Sequence, residues 1–376
     1  MNIRQKKYTL SEGWETELEC TVALSDYQLV LVFGNMALLS KASVYANVRN
    51  EYPSAAIIFS SGSGSITNTS VNEDSISVTA INFTKASINT AAVNLSEVKS
   101  DYEAGCKLAS GIKKDGLKYI LVLSDGQLVN GSELVKGLQE NFSDNILITG
   151  GLAGGNELSG QAIVGLNEVP YPGRIVLVAF YGDIILNYGS VCGGTPFGPE
   201  RLITKSEKNV LYELDGKPAL DIYKLYLGDE ANHLPASAYL FPICIGPVSS
   251  VNTVVRSVQS INEAEKSLRF VGNIPRGYYA RFVQIQSNKL VEGATEAAKN
   301  ASGNSTPELA ILISCIGRKL VLSQRVEEEV EAVKAVLGSN VVLTGFYSNG
   351  EICPLLNTSK SELHNQTMTI TTLSEK

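Results

Sequence analysis

The stretch Asn340-Val-Val-Leu-Thr-Gly-Phe-Tyr-Ser-Asn-Gly-Glu351 is a short apolar run that breaks into a glycine-containing turn, and the chain carries this pattern three times. The earlier copies are Ala55–Phe59 followed by Ser60-Ser-Gly-Ser-Gly-Ser65, and Asn145–Ile148 followed by Thr149-Gly-Gly-Leu-Ala-Gly-Gly155. Each is preceded by another apolar run: Leu29–Phe33, Tyr119–Leu123 and Leu309–Ser314. Within a copy the two runs start 26, 26 and 31 residues apart (29 to 55, 119 to 145, 309 to 340), the span of one βαβ unit.

The segments between the runs have helical period. Glu133–Phe142 places Leu134, Val135, Leu138 and Phe142 on one stripe, and Val326–Leu337 does the same with Val326, Val330, Val333 and Leu337. Gly338 suits the cap of the second helix, whose glutamates favour its N-terminal half. A further extended segment is expected after each turn: Ser75–Ile81, Gln161–Leu166 and Thr367–Leu373. The pattern predicts an α/β (α+β) fold of mixed β-sheets, built from repeated βαββ-like units with helices on the sheet faces, in two similar-sized lobes. Between the second and third copies the chain is richer in strands: 174–181, 184–188, 239–245, 253–257, 268–271 and 278–286. One helix, Pro218–Leu227, interrupts them. The polar stretch Gly228–Ser237 is the candidate linker, and Asn300–Pro307 is expected to be a loop.

With 376 residues, 44% hydrophobic and 18% charged, the chain has enough apolar material for about two cored domains, which excludes a disordered or fibrous protein. The net charge of −7 disfavours nucleic acid as a partner, because phosphate neutralisation needs a cationic face. No apolar run approaches the roughly 18–20 residues that span a bilayer, and the N-terminus carries no leader pattern, so a cytoplasmic protein with no membrane partner is expected. Six cysteines without a C-x-x-C pair read as free thiols rather than a zinc or disulfide framework.

Ligands of parallel α/β units bind where loops follow the strand ends. Ser314–Lys319 and Gly345–Glu351 are two such loops, and neighbouring strands would bring Cys315, Arg318, Gly345, Tyr347, Asn349 and Glu351 to one mouth. Arg318 would suit a carboxylate and Glu351 an ammonium group; alternatively the two stitch the loops together as an ion pair. His364 and Asn365, just before the last strand, complete the candidate set. Cys315 with His364 would be the only nucleophile pair, without an evident third member. The chain has no G-x-S-x-G, H-E-x-x-H or phosphate-loop motif.

Several stretches together resemble the FIST family. In the N-terminal region they are Ser124-Asp-Gly-Gln-Leu-Val-Asn-Gly131, Gly150-Gly-Leu-Ala-Gly154, Gly198-Pro-Glu-Arg-Leu-Ile-Thr204 and Asn209–Ala219. In the C-terminal region they are Val255-Arg-Ser257, Ser314-Cys-Ile-Gly-Arg318, Gly345–Ile352 and His364-Asn-Gln-Thr367. The resemblance implies a FIST N-terminal domain over 20–228 and a FIST C-terminal domain over 238–374. It further implies a stand-alone sensory input protein of signal transduction that binds a small molecule such as an amino acid or a derivative. Output would pass to a downstream signalling protein encoded separately. No cofactor or metal is expected; haem, carried by some family members as a nitric oxide sensor, is the alternative, with Cys192 as a soft ligand where those members have a nearby histidine. A Cys315–His364 hydrolase or transferase and a ligand-free scaffold are the other readings.

Overall fold

The computed structural model describes residues 1–143, 145–155, 161–248, 250, 252–303, 306–355, 358 and 360–375. The three apolar pairs form parallel strands as the spacing predicts. Leu29–Gly34 lies beside Ala56–Ser61, Leu117–Asp125 beside Leu147–Ala153, and Leu309–Cys315 beside Val342–Ser348. The helices Ala42–Glu51, Gly131–Gln139 and Val326–Leu337 cross between them. An antiparallel strand then returns along the first member of each pair: Ser75–Asn82, Arg174–Gly182 and Met368–Glu375. Each return strand carries an outer neighbour: Asn2–Thr9, Ala86–Asn94 and Ile184–Val191.

The strand that follows each glycine turn leaves its own unit. Ser65–Thr67 of the first unit pairs with Val342–Ser348 of the third, and Gly350–Pro354 of the third pairs with Leu147–Ala153 of the second. Val164–Leu166 of the second pairs with Ala56–Ser61 of the first. The exchange closes a cycle, and the result is three six-stranded sheets that share the same order over five strands, the sixth lying at the opposite edge in the first sheet. Two of these sheets therefore draw on strands from both ends of the chain. This corrects the expected equivalence of Gln161–Leu166 with the other two return strands; that place is taken by Arg174–Gly182.

The first strands are buried on both faces, which is why they read as continuous apolar runs. Leu29, Leu31 and Phe33, Tyr119, Leu121 and Leu123, and Leu309, Ile311 and Ile313 meet in one central cluster. The alternating residues Val30 and Val32, Ile120 and Val122, and Ala310 and Leu312 pack outward into three separate clusters. Where sheets meet, Thr79 bonds Thr344 and Thr149 bonds Thr371, each at 2.8 Å. At the third junction the register places Ile58 and Val178 instead. Glycine is required where strands crowd: a Cβ on Gly150 would lie 1.9 Å from the Val122 carbonyl oxygen, and one on Gly345 would lie 1.8 Å from that of Leu312. Gly345 thus serves close backbone approach inside a strand and does not sit in a ligand loop.

Residues 195–284 build a separate antiparallel sheet around the helix Ala219–Leu227, with its own core of Ile203, Leu220, Tyr223, Phe270 and Phe282. The expected linker is ordered as 3-10 turns, Gly228–His233 and Ala236–Leu240, and strand structure begins only at Ile243. Several elements went unread in the sequence, among them the helix Asp101–Ser110 and the strands Ala86–Asn94 and Thr195–Glu207. Asn2–Thr9 and Gly13–Leu18 form a hairpin, and Ser287–Ser302 is a helix that includes the start of the expected 300–307 loop. That helix buries Ala294, Ala297, Ala298 and Ala301, a face of small residues with little hydrophobic contrast. Residues 304–305 lie outside the described set. Among the described residues no helix is long and apolar enough to cross a membrane.

Candidate functional site

A cavity of about 770 Å³ lies between the three-sheet body and the strand-rich lobe. The body contributes Gly126 and Gln127 at the end of the second unit's first strand, Cys315, Ile316, Gly317 and Leu320 from the third unit, and Asn349. The lobe contributes Pro235, Ala236, Tyr239, Ser257, Val258, Gln259, Ser260, Arg269 and Val271.

Local structure explains why only part of the expected cluster reaches this cavity. The strand Leu309–Cys315 passes without a loop into the helix Ile316–Leu322, with Cys315 at its N-cap. That helical phase turns Arg318 into the protein, where it is fully buried. Its Nε and Nη2 donate to Glu329 Oε2 at 3.0 and 2.8 Å. Its remaining donors go to the carbonyls of Cys192 at 2.7 Å, Leu290 at 2.7 Å and Gln366 at 3.3 Å. Glu329 Oε1 accepts from Ser314 Oγ at 2.9 Å and from the Tyr347 hydroxyl at 2.7 Å. Arg318 therefore pairs with Glu329 on the following helix, and neither with Glu351 nor with the cavity.

The expected turn 345–351 is almost wholly strand. Val342–Ser348 and Gly350–Pro354 leave only Asn349 between them. Strand alternation sends Tyr347 to the Glu329 network and buries Glu351, whose Oε1 accepts from Ser348 Oγ at 2.7 Å. Glu351 Oε2 accepts from the Thr367 amide and hydroxyl at 3.2 and 2.9 Å. Burial with no cation in hydrogen-bond contact lifts the Glu351 carboxyl from 4.5 to about 7. His364 lies opposite Glu351 across an antiparallel pair, and burial holds its imidazole neutral, down to about 3. Asn365 is buried too; its Oδ1 accepts from the Ser257 amide at 3.1 Å, and its own amide donates to the Val255 carbonyl. Of the eight candidate residues, Cys315 and Asn349 line the cavity; Arg318, Gly345, Tyr347, Glu351, His364 and Asn365 support it from behind.

Four buried side-chain atoms have no hydrogen-bond partner in residues at this cavity or behind it: Oδ1 of Asn349 and Oγ of Ser257, two residues that line it, and Oε1 of Gln366 and Nε2 of His364 behind them. Asn349 and Ser257 are 8% and 7% exposed. Orphaned buried polar groups cost stability, and these four are grouped beside the cavity although closed off from it. Ser257, Gln259, Ser260 and Arg269 went unread as site residues, although Val255-Arg-Ser257 was a visible motif. Its Arg256 is buried and fastens the lobe to the body. It donates to the Leu363 carbonyl, to Ser132 Oγ at 3.3 Å and to Glu362 Oε1 at 3.2 Å.

The chemistry of a Cys–His nucleophile is not assembled. Burial and the nearby Glu351 push the Cys315 thiol well above its ordinary value, and no hydrogen bond joins it to His364. A thiolate is the reactive form, so Cys315 is expected to alkylate with iodoacetamide more slowly than half-buried Cys20 or Cys106 at pH 7.5. Peptide mapping of the labelled protein reads the order, and Cys315 labelling first would reinstate the enzyme reading. The residues do not fit haem either. Cys192 packs against Val283, Ile285 and Leu290 outside the cavity, its thiol raised to about 11 by burial, and no histidine lines the cavity. Among the described residues no group of three or more His, Cys, Asp or Glu is placed to hold a metal ion, and the six cysteines are free.

The family model for the FIST N domain matches residues 28–217, and that for the FIST C domain matches residues 219–354. No curated protein matches this chain. Among solved structures it is similar to a cyanuric acid hydrolase, described as an evolutionary innovation by structural concatenation. The identity is 9%, with 100% of this chain and 99% of that chain covered, at a TM-score of 0.36. A cyanuric acid hydrolase from A. caulinodans is 8% identical over 94% of this chain and 92% of that one, at a TM-score of 0.34. Likeness at that level carries no argument about activity. FIST domains are sensory, ligand-binding domains of signalling proteins. By the two matches, which together take in most of its length, this chain belongs to the FIST family.

Proposed function

We propose that this protein is the ligand-binding input component of a signalling system, and that the cavity between body and lobe is its binding site. The observation that carries this reading is the cavity itself, about 770 Å³, in which the apolar Val258, Val271, Ile316 and Leu320 stand beside a few polar side chains, Gln127, Gln259, Ser260 and Arg269 among them. An apolar enclosure with a few fixed polar groups is the usual form of a small-molecule site. Arg269 offers a carboxylate a partner, and the exposed Gln259 and Ser260 side chains offer acceptors to an ammonium group. An amino acid or a derivative carries both groups. Because the walls come from two bodies, occupancy changes how lobe and body hold each other, which is the kind of change a separately encoded signalling partner can read.

A thermal-shift screen against amino acids, nucleotides and haem tests the reading. A true ligand at about 100 times its Kd adds roughly 2.7 kcal/mol of stability. Ser260→Trp, an exposed wall position, is expected to fill the cavity, leave the empty protein folded and erase the shift. A shift that survives Ser260→Trp unchanged would place the ligand elsewhere.

A further inference from the structure

We infer that the ligand is an N-acylated amino acid, bound with its carboxylate on Arg269 at the cavity's rim and its acyl chain along the apolar wall within. The inference rests on the proposal that the cavity is the binding site, and names its ligand class. Strand alternation builds one wall. In Ser267–Phe270 the side chains of Leu268 and Phe270 are buried in the lobe's core, so Arg269 points away from that core, and Ser260 stands opposite it on the neighbouring strand. Arg269, Ser260 and Val271 all line the cavity, which therefore meets the outer face of the lobe's sheet. Helical spacing builds the other wall. Ile316 and Leu320 lie one turn apart on the helix Ile316–Leu322 and share its cavity side, while Arg318 turns inward. Leu320 is left 45% exposed there, apolar surface that an apolar ligand body would remove from water.

The charges narrow the class. Arg269 is the one charged side chain among the described lining residues, and no Asp or Glu stands with it. Its one hydrogen bond among the described residues goes to a neutral group, Asn209 Oδ1 at 3.4 Å, which leaves it able to take a carboxylate. The acids that adjoin lining residues in the chain are buried and already engaged. Asp125 accepts from the amides of Gln127, Leu128 and Gly173 at 2.7, 3.0 and 2.8 Å, and Glu351 accepts from Ser348 and Thr367. An ammonium group would thus meet only the neutral Gln259 and Ser260 side chains, with no counter-charge. An acyl group on the same nitrogen removes the charge to be desolvated and supplies apolar area for the facing wall. The resulting amide can donate to and accept from Gln259 and Ser260. Size agrees: about 770 Å³ lies towards the upper end of the roughly 300–1,000 Å³ that takes drug-sized ligands, and a single amino acid would leave much of it empty.

The test is calorimetric titration of the full chain with N-octanoyl-leucine, N-acetyl-leucine, leucine, octanoate and N-octanoyl-leucinamide. N-octanoyl-leucine is expected to bind about tenfold or more tighter than N-acetyl-leucine and leucine, because its longer chain buries more methylenes. It is expected to bind about threefold or more tighter than octanoate, which lacks the amide, and than N-octanoyl-leucinamide, which lacks the charge. The preference for acid over amide is expected to vanish in Arg269→Gln. Leucine binding as tightly as N-octanoyl-leucine, or no binding by either acylated acid, overturns the ligand class. Octanoate binding as tightly overturns it in favour of a simple aliphatic acid, and an acid-over-amide preference that persists in Arg269→Gln overturns the carboxylate's place. In each of these cases a response that Ser260→Trp erases, to any compound, leaves the cavity reading standing. Binding of N-octanoyl-leucine that survives Ser260→Trp unchanged overturns both, so the two failures are distinguishable.

Discussion

Arg318→Ala is expected to cost about 3–5 kcal/mol of stability, with or without any ligand present. The guanidinium is fully buried and its partner Glu329 is buried as completely, so removing one charge leaves the other uncompensated in a low-dielectric interior. The same change also orphans the carbonyls of Cys192 and Leu290, which tie the third unit to the chain entering the lobe and to the helix Ser287–Ser302. Urea unfolding reads the loss as a lower midpoint. Adding Glu329→Gln to Arg318→Ala is expected to recover part of it, since the neutral amide needs no counter-charge. A loss below about 1 kcal/mol would mean that Arg318 is not held in this pair. The reading made from sequence, in which Arg318 served either Glu351 or a ligand anion, is replaced by a third partner on the helix that follows.

Glu351→Gln is expected to stabilise the protein at pH 8 by about 3 kcal/mol and to do nothing at pH 4. The folded carboxyl is raised from 4.5 to about 7, so the native state holds a proton that the unfolded chain releases. Stability from this group is thus complete below pH 4.5 and declines as pH rises to 7. Glutamine keeps the contacts, with its oxygen accepting from Thr367 and its amide donating to Ser348 Oγ. His364 works in the opposite sense: its imidazole is lowered from 6.5 to about 3, so its contribution is complete above pH 6.5 and is lost as pH falls towards 3. Between pH 4.5 and 6.5 the two groups offset each other in the parent, and only the difference between parent and variant isolates either one. Chemical denaturation at half-unit pH steps measures that difference. A flat difference across pH 4.5–7 would show that Glu351 stays ionised in the fold.

Much of the architecture was legible before any coordinates. Leu29–Phe33, Tyr119–Leu123 and Leu309–Ile313 are apolar at every position because both faces of those strands are buried, and the spacing to their partners admits one crossing helix. The helix Ser287–Ser302 escaped notice because its buried face is alanine, which contrasts weakly with its polar side. The residues that belong to the site were harder to separate. Cys315 and Asn349 were found because they stand at strand ends, where topology alone puts ligands.

By its own pattern the sequence determined three βαβ units and their glycine breaks, and it marked the polar stretch Gly228–Ser237, read as a linker, of which Pro235 and Ala236 line the cavity. Tertiary structure alone decided that each unit gives its next strand to a neighbour, because such pairing joins residues as distant as Ile66 and Gly345 and leaves no local periodic trace. It also decided which way each side chain faces. Helix begins at Ile316 with no intervening loop, and strand runs on through Ser348, so Arg318, Tyr347 and Glu351 were carried inward while Asn349 alone stayed at the turn. The facing of a side chain depends on helical phase and strand parity at single-residue precision, and residue type and spacing do not encode these until the elements pack.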